Sequence, residues 1–198
     1  MVSERFEKQL KFLVEADKMK NVLRRTLIAD GSRRETYAEH YRHFALMAMT
    51  LIEYAKDKDK IDLDHVIKLA LLHDMVEIYA GDTFCYDVSA NEDKAEREKA
   101  AADKLFGILP EEQGREYRAL WEEYEAKETP EAAYAAAIDC LQPIINNHLT
   151  EGHTWKQGNV SSDQVRRRNE TVKRAMPQVY ELVDWIIETN IEKGNLKR

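Results

Sequence analysis

The stretch Ile67-Lys68-Leu69-Ala70-Leu71-Leu72-His73-Asp74-Met75-Val76-Glu77-Ile78 constrains this chain more than any other. Its apolar residues recur at helical spacing, and a helix this apolar belongs at the centre of a fold. Yet His73 and Asp74 follow directly on four apolar residues, and Glu77 lies one turn beyond His73. Burying an unpaired carboxylate costs several kcal/mol, so Asp74 needs a cation or strong donors.

The anomaly recurs. Asp139 sits in Ala135-Ala136-Ala137-Ile138-Asp139-Cys140-Leu141, again an apolar run. His40 and His43 stand at i, i+3 just before the apolar block Phe44 to Ile52. A lone histidine in an apolar helix is usually a hydrogen-bonded core residue, and a lone buried aspartate usually caps a helix or pairs with arginine. Three central helices that each offer imidazole or carboxylate groups point instead to one divalent cation. His40, His73, Asp74 and Asp139 form an N2O2 set with coordination positions left for water, suited to Mn, Co, Fe, Ni, Zn or Mg. No histidine lies between Asp74 and Asp139, and the chain lacks the Glu-x-x-His pairs of a di-iron bundle, so one metal is expected rather than two. His43, His65, His148 and His153 read as structural.

The remainder of the chain frames these helices. A length of 198 residues suits one domain, and 43% hydrophobic with 34% charged residues is a globular balance. Only seven Gly and four Pro punctuate it, so long helices are expected. Apolar spacing predicts helices over 5–28, 37–56, 62–81, 91–106, 110–127, 129–148, 162–175 and 177–192, with an irregular stretch at 82–90 and no strand. Thr129-Pro130 is a helix start, with a capping hydroxyl followed by proline in the first turn. The expected fold is all-α, a single domain over 1–198 of roughly seven to nine helices. Its core is expected at about 12–148, with the C-terminal helices at about 162–192 packed on it.

A net charge of −7 and a pI of about 5.5 disfavour a nucleic-acid-binding face. No apolar run approaches the roughly 20 residues of a membrane span, and the first eleven residues lack a signal-peptide core. Cys85 and Cys140 have no C-x-x-C spacing and read as reduced thiols of a cytoplasmic protein.

The order His40, His73-Asp74, Asp139 resembles that of the HD-domain metal-dependent phosphohydrolases. The longer pattern Glu39-His40, then His73-Asp74-x-x-Glu77, then Gly81-Asp82, is similar to the small all-helical HD proteins that act as 5′-deoxynucleotidases. The likeness extends from about Phe12 to His148 and includes Leu120-Trp121-x-x-Tyr124-Glu125. It implies that His40, His73, Asp74 and Asp139 ligate the metal and that Glu77 is the acid/base residue beside the metal-bound water. Asp82 would position substrate or water, and Arg25, fifteen residues before His40, would contact the substrate. It also implies a nucleoside monophosphate substrate and a homodimer, to which the aromatic residues of 110–127 would contribute. Two positions depart from the pattern. Thr26 stands where the deoxynucleotidases often carry a tryptophan against the sugar, and Cys140 stands where a basic residue usually follows the aspartate.

Among the residues themselves, Glu77 lies among Met75, Val76 and Ile78 near like charges, which should raise its pKa. Arg25, Arg33 and Arg34 offer guanidinium groups for phosphate, although at least one of them should serve the turn by pairing with Glu35. Arg166-Arg167-Arg168 reads as a solvated helix face. Hydrolysis of another phosphate ester, such as a dNTP or a cyclic nucleotide, and a non-catalytic metal- or nucleotide-binding role are the alternative functions.

Overall fold

Helices joined by short turns account for most of the chain, as its sparse glycine and proline require. The computed structural model describes residues 2–87 and 89–198. In chain order the elements are α1 (Glu4–Ala16), β1 (Leu23–Leu27), β2 (Arg34–Thr36), α2 (Tyr37–Leu51), α3 (Leu63–Leu72) and α4 (Glu77–Ala80). There follow α5 (Lys94–Phe106), α6 (Glu111–Ala126), α7 (Pro130–Leu149), α8 (His153–Gly158), α9 (Ser162–Arg168), α10 (Glu170–Ala175) and α11 (Pro177–Glu192).

The twenty-residue α7 is the axis of the fold and packs against α2, α3, α6, α10 and α11. Thr129 caps it, its side chain accepting from the Ala132 amide, and Pro130 fills the first turn where no amide partner is needed. Ala135, Ala136 and Ala137 are buried, and their small side chains let neighbouring helices approach closely. Phe44 of α2, Val66 and Leu69 of α3 and Ile138 of α7 are fully buried around them.

Four stretches differ from expectation. The first helix stops at Ala16 rather than near Ile28; a 3-10 turn follows, and Leu23–Leu27 pairs antiparallel with Arg34–Thr36. On β1 the residues Arg24 and Thr26 are more buried than Leu23 and Arg25. That alternation of two belongs to a strand, and Gly31, with φ of 72°, turns the hairpin. The third helix ends at Leu72 instead of Gly81, because the chain tightens into i→i+3 hydrogen bonds from Met75 to Tyr79. Segment 162–175 divides at Asn169, and residues around Gly152 to Gly158, expected as loop, contain α8.

The aromatic residues of α6 pack into the core of the chain. Trp121 and Tyr124 are buried within the chain, and Tyr117 stacks edge-on against Phe12 and Phe106. Among the described residues, no helix is long and apolar enough to cross a membrane.

Candidate metal centre and its cleft

Four side chains from three parts of the chain converge beneath a cleft of about 180 Å³. His40 comes from the second turn of α2, whose start is fixed by a capping box: Thr36 accepts from the Glu39 amide, and the Glu39 carboxylate accepts from the Thr36 amide. His73 and Asp74 lie where α3 gives way to the tight i→i+3 turns, and Asp139 lies midway along α7. Pro143 sits one turn beyond Asp139 and has no amide to donate to its carbonyl. One ligand atom from each of His40, His73, Asp74 and Asp139 lies within 4.8 Å of the others.

The arrangement fits a cation. His73 Nε2 lies 2.9 Å from Asp74 Oδ2, and His40 Nε2 lies 3.2 Å from Asp139 Oδ1. Both nitrogens are fully buried, and among the described residues neither has hydrogen-bond geometry toward a partner. Such buried orphans are costly unless something else binds them. His73 Nδ1 lies 2.9 Å from the Ala70 carbonyl, so its proton belongs there and the Nε2 lone pair faces the cluster. Burial, with the Arg24 charge beside it, pushes His40 down to about 4, which keeps it in the neutral form that ligates metals. Burial alone would raise Asp139, but His40 at 3.2 Å, with His73 and Arg168 beside it, holds it well below the usual carboxylate range.

A second tier orients these ligands. Phe44, Tyr41 and Tyr124 pack their rings against His73, at centroid distances of 5.2, 5.6 and 4.6 Å. The Tyr124 hydroxyl donates to Asp139 Oδ2 at 3.2 Å. Arg24 reaches Asp74 Oδ2 at 3.2 Å and Glu35 Oε2 at 3.5 Å, and lies over the Tyr37 ring. Glu35 is buried, accepts from Gln142 at 2.6 Å and stands 3.9 Å from His40 Nδ1.

Burial pushes Glu35 up to about 7, against the opposing charge of Arg24. The folded state therefore holds a proton on Glu35 that the unfolded chain, with a value of 4.5, releases earlier. Its contribution to stability is full below pH 4.5, falls as pH rises toward 7, and is lost above that. In chelator-treated protein, the stability of wild type relative to Glu35→Gln is expected to fall by roughly 3 kcal/mol between pH 4 and pH 8. Urea unfolding of both at several pH values checks this; a pH-independent difference contradicts it.

Of the other expected site residues, Glu77, Asp82 and Arg25 all line the cleft. Glu77 is on α4, not on a continuous helix with His73, so the tight turns rather than an i, i+4 helical offset set its place. Its Oε2 is buried without a partner. Burial, then the charge of Asp74, pushes Glu77 up to about 10. Asp82 Oδ1 accepts from the Tyr37 hydroxyl at 2.7 Å. The Arg25 guanidinium lies 4.7 Å over the Phe84 ring. Arg33 binds Glu39 through both terminal nitrogens, and Arg34 donates to the carbonyls of Arg24 and Leu23; these two hold the hairpin.

Several site residues escape the sequence. Arg24 would have been found by reading 23–27 as a strand, because it and Thr26 share the inward face. The solvated reading of 166–168 fails at its last member. Arg166 binds Asp184 and Glu188, whereas Arg168 Nη2 lies 3.3 Å from Asp139 Oδ2 and lines the cleft. His65 and His148 have structural partners, in Glu123 and Asn190.

The chain matches the HD domain model over residues 16–180. It is 33% identical over 150 residues to human 5′-deoxynucleotidase HDDC2, covering 75% of this chain and 71% of that protein. The Dictyostelium discoideum 5′-deoxynucleotidase HDDC2 is 31% identical, over 72% of this chain and 77% of its own. A crystal structure of a predicted metal-dependent phosphohydrolase from Magnetospirillum magnetotacticum MS-1 is 42% identical, covers both chains fully and superimposes with a TM-score of 0.93. An HD-domain phosphohydrolase from Listeria innocua shares the fold, with a TM-score of 0.63 at 17% identity. By the span of the domain match and by these relatives, the chain belongs to the HD-domain family.

Proposed function

We propose that the protein is a metal-dependent phosphomonoesterase that releases phosphate from nucleoside 5′-monophosphates, with one divalent ion held by His40, His73, Asp74 and Asp139. The convergence of those four ligand atoms under a cleft that also holds guanidinium and carboxyl groups carries the reading. The curated relatives named 5′-deoxynucleotidases support the substrate class. Those four residues would hold a cation, which would supply charge neutralisation at a phosphoryl oxygen and a lowered pKa for bound water.

The protein's own groups supply the rest. Glu77 holds a proton at neutral pH at the cleft floor and serves as its donor or shuttle. Asp82, fixed by Tyr37, orients substrate or water, and Arg25 lies where a phosphate ester would enter. Lys94 is paired with Glu98 at 3.3 Å and Arg24 with Glu35 and Asp74, so of the four cationic residues lining the cleft two, Arg25 and Arg168, are left for a substrate. That favours one phosphate group over a triphosphate. Thr26, small and nearly buried at the cleft wall, leaves room beside the sugar, so ribo- and deoxyribonucleotides should both be accepted.

The cleft is lined both from segment 12–148 and from α8 and α9, which supports the whole chain acting as one unit. Two free thiols agree with a cytoplasmic setting. The homodimer belongs to the same reading. Exposed apolar side chains on α1, namely Phe6, Leu10, Leu13 and Val14, agree with it, and a strict monomer in sedimentation would remove it. Phosphate release from ribo- and deoxynucleoside 5′-monophosphates, dNTPs and cyclic nucleotides, with several divalent metals, tests the function. Release from monophosphates is expected; turnover confined to dNTPs or cyclic nucleotides, or no turnover, overturns it.

A further inference from the structure

We propose that Arg168, at the end of α9, is a substrate-binding residue that grips the phosphoryl group. The inference rests on the phosphohydrolase reading above but extends the site to the C-terminal helices, which the sequence pattern left outside it.

Asp139 divides its two oxygens. Oδ1 faces His40 at 3.2 Å, while Oδ2 faces Tyr124 and Arg168, at 3.2 and 3.3 Å. Among the described residues, Asp139 is the one carboxylate within 4.0 Å of Arg168. Among the described residues only Nη2 of its guanidinium is engaged, which leaves the other donors of the planar fork for an oxyanion. An oxyanion held at the four-ligand cluster lies beside Asp139, within reach of that fork. The side chain is 41% exposed, so its fork can turn from Asp139 toward a ligand in the cleft. Arg24 lacks this freedom, being 13% exposed and clamped by two carboxylates.

The chain holds Arg168 at this place from behind. The Cys140 thiol donates to the Arg168 carbonyl at 3.4 Å, tying the end of α9 to α7 one residue from Asp139. The next residue supplies an independent sign of a ligand. Asn169 is 1% exposed and lines the same cleft. Its amide nitrogen donates to the Val165 carbonyl, and its Oδ1 has no partner among the described residues. A buried acceptor left bare is unfavourable, and a hydroxyl or amino group on the leaving group would satisfy it.

The test titrates inorganic phosphate into metal-loaded wild type, Arg168→Gln and Arg168→Lys by calorimetry, with metal content measured in parallel and KM and kcat taken on nucleoside monophosphates. Arg168→Gln should bind phosphate about 10–100-fold more weakly, the range for a lost hydrogen bond to a charged group. It should raise KM more than it lowers kcat and keep its metal. Arg168→Lys retains the charge without the fork and should recover part of the affinity; it also serves if the glutamine variant fails to fold. Unchanged phosphate affinity in Arg168→Gln, or lost metal with phosphate affinity intact, overturns the assignment and makes Arg168 a support for Asp139. So does a metal-loaded wild type that binds no phosphate. If wild type binds phosphate through Arg168 but hydrolyses no monophosphate, the assignment stands and the nucleotidase reading falls.

Discussion

Asp74→Ala is expected to yield a folded protein that holds no metal and releases no phosphate. Asp74 Oδ2 lies 2.9 Å from His73 Nε2 and 3.9 Å from His40 Nε2, so one oxygen faces both imidazoles. Its removal takes away one of two anionic ligands and leaves Asp139, beside two neutral imidazoles, as the one proposed ligand that offsets a divalent charge. Folding should survive, because Asp74 and Asp139 repel each other and the substitution removes that repulsion. Arg24 keeps Glu35 as a partner. Loss of a contribution worth several kcal/mol to the transition state corresponds to at least about a 10³-fold fall in turnover. Metal analysis after gel filtration and a phosphate-release assay check both parts. Full metal occupancy in the variant contradicts the ligand assignment.

Glu77→Gln separates a proton-moving role from a structural one. The amide nearly preserves size and hydrogen-bonding reach, so a residue that only supports the fold would tolerate the change. If Glu77 moves protons, the variant binds metal and substrate normally and loses about 10²–10⁴-fold, chiefly in kcat. The geometry favours the second outcome. Its Oε2 is buried without a partner, and burial with the Asp74 charge pushes Glu77 up to about 10. It therefore carries a proton at neutral pH, and cationic charge at the cluster opposes the Asp74 field and brings it toward the useful range. A poor leaving group needs that proton most. The deficit should shrink on p-nitrophenyl phosphate; equal deficits on both substrates mean that Glu77 prepares the attacking water instead. Wild-type rates remove it from the mechanism and shift attention to Asp82.

The four proposed ligands are legible in the sequence because polar groups inside apolar helices conflict with burial, and only a shared cation resolves three such conflicts together. Their surroundings are less legible. Glu35 stands in a hairpin among charged residues and reads as solvated, yet the pairing of Leu23 with Thr36 carries it under His40. Tyr124 reads as one of the aromatic residues of 110–127, with no sign of the site, because its contact with Asp139 spans 15 residues and depends on how α6 meets α7. Arg168 lies 29 residues from Asp139 in a run of like charges, where local pattern cannot show which member turns inward. The helical periodicity is legible over α5, α6, α7 and α11. It misleads at 23–28, where Leu23 and Leu27 fit a helical spacing as well as a strand's. It misleads again at 73–76, because apolar side chains continue through a backbone that has left the α-helix.

The central claim is that one divalent ion, held by His40, His73, Asp74 and Asp139, makes this cleft a phosphomonoesterase. The most direct measurement is a titration of chelator-stripped protein with single divalent metals, following bound metal and phosphate release from a nucleoside 5′-monophosphate in the same samples. Activity should be absent at the start, rise with bound metal and saturate at one ion per chain. Activity that survives stripping, or that appears only as a second ion binds, would contradict it.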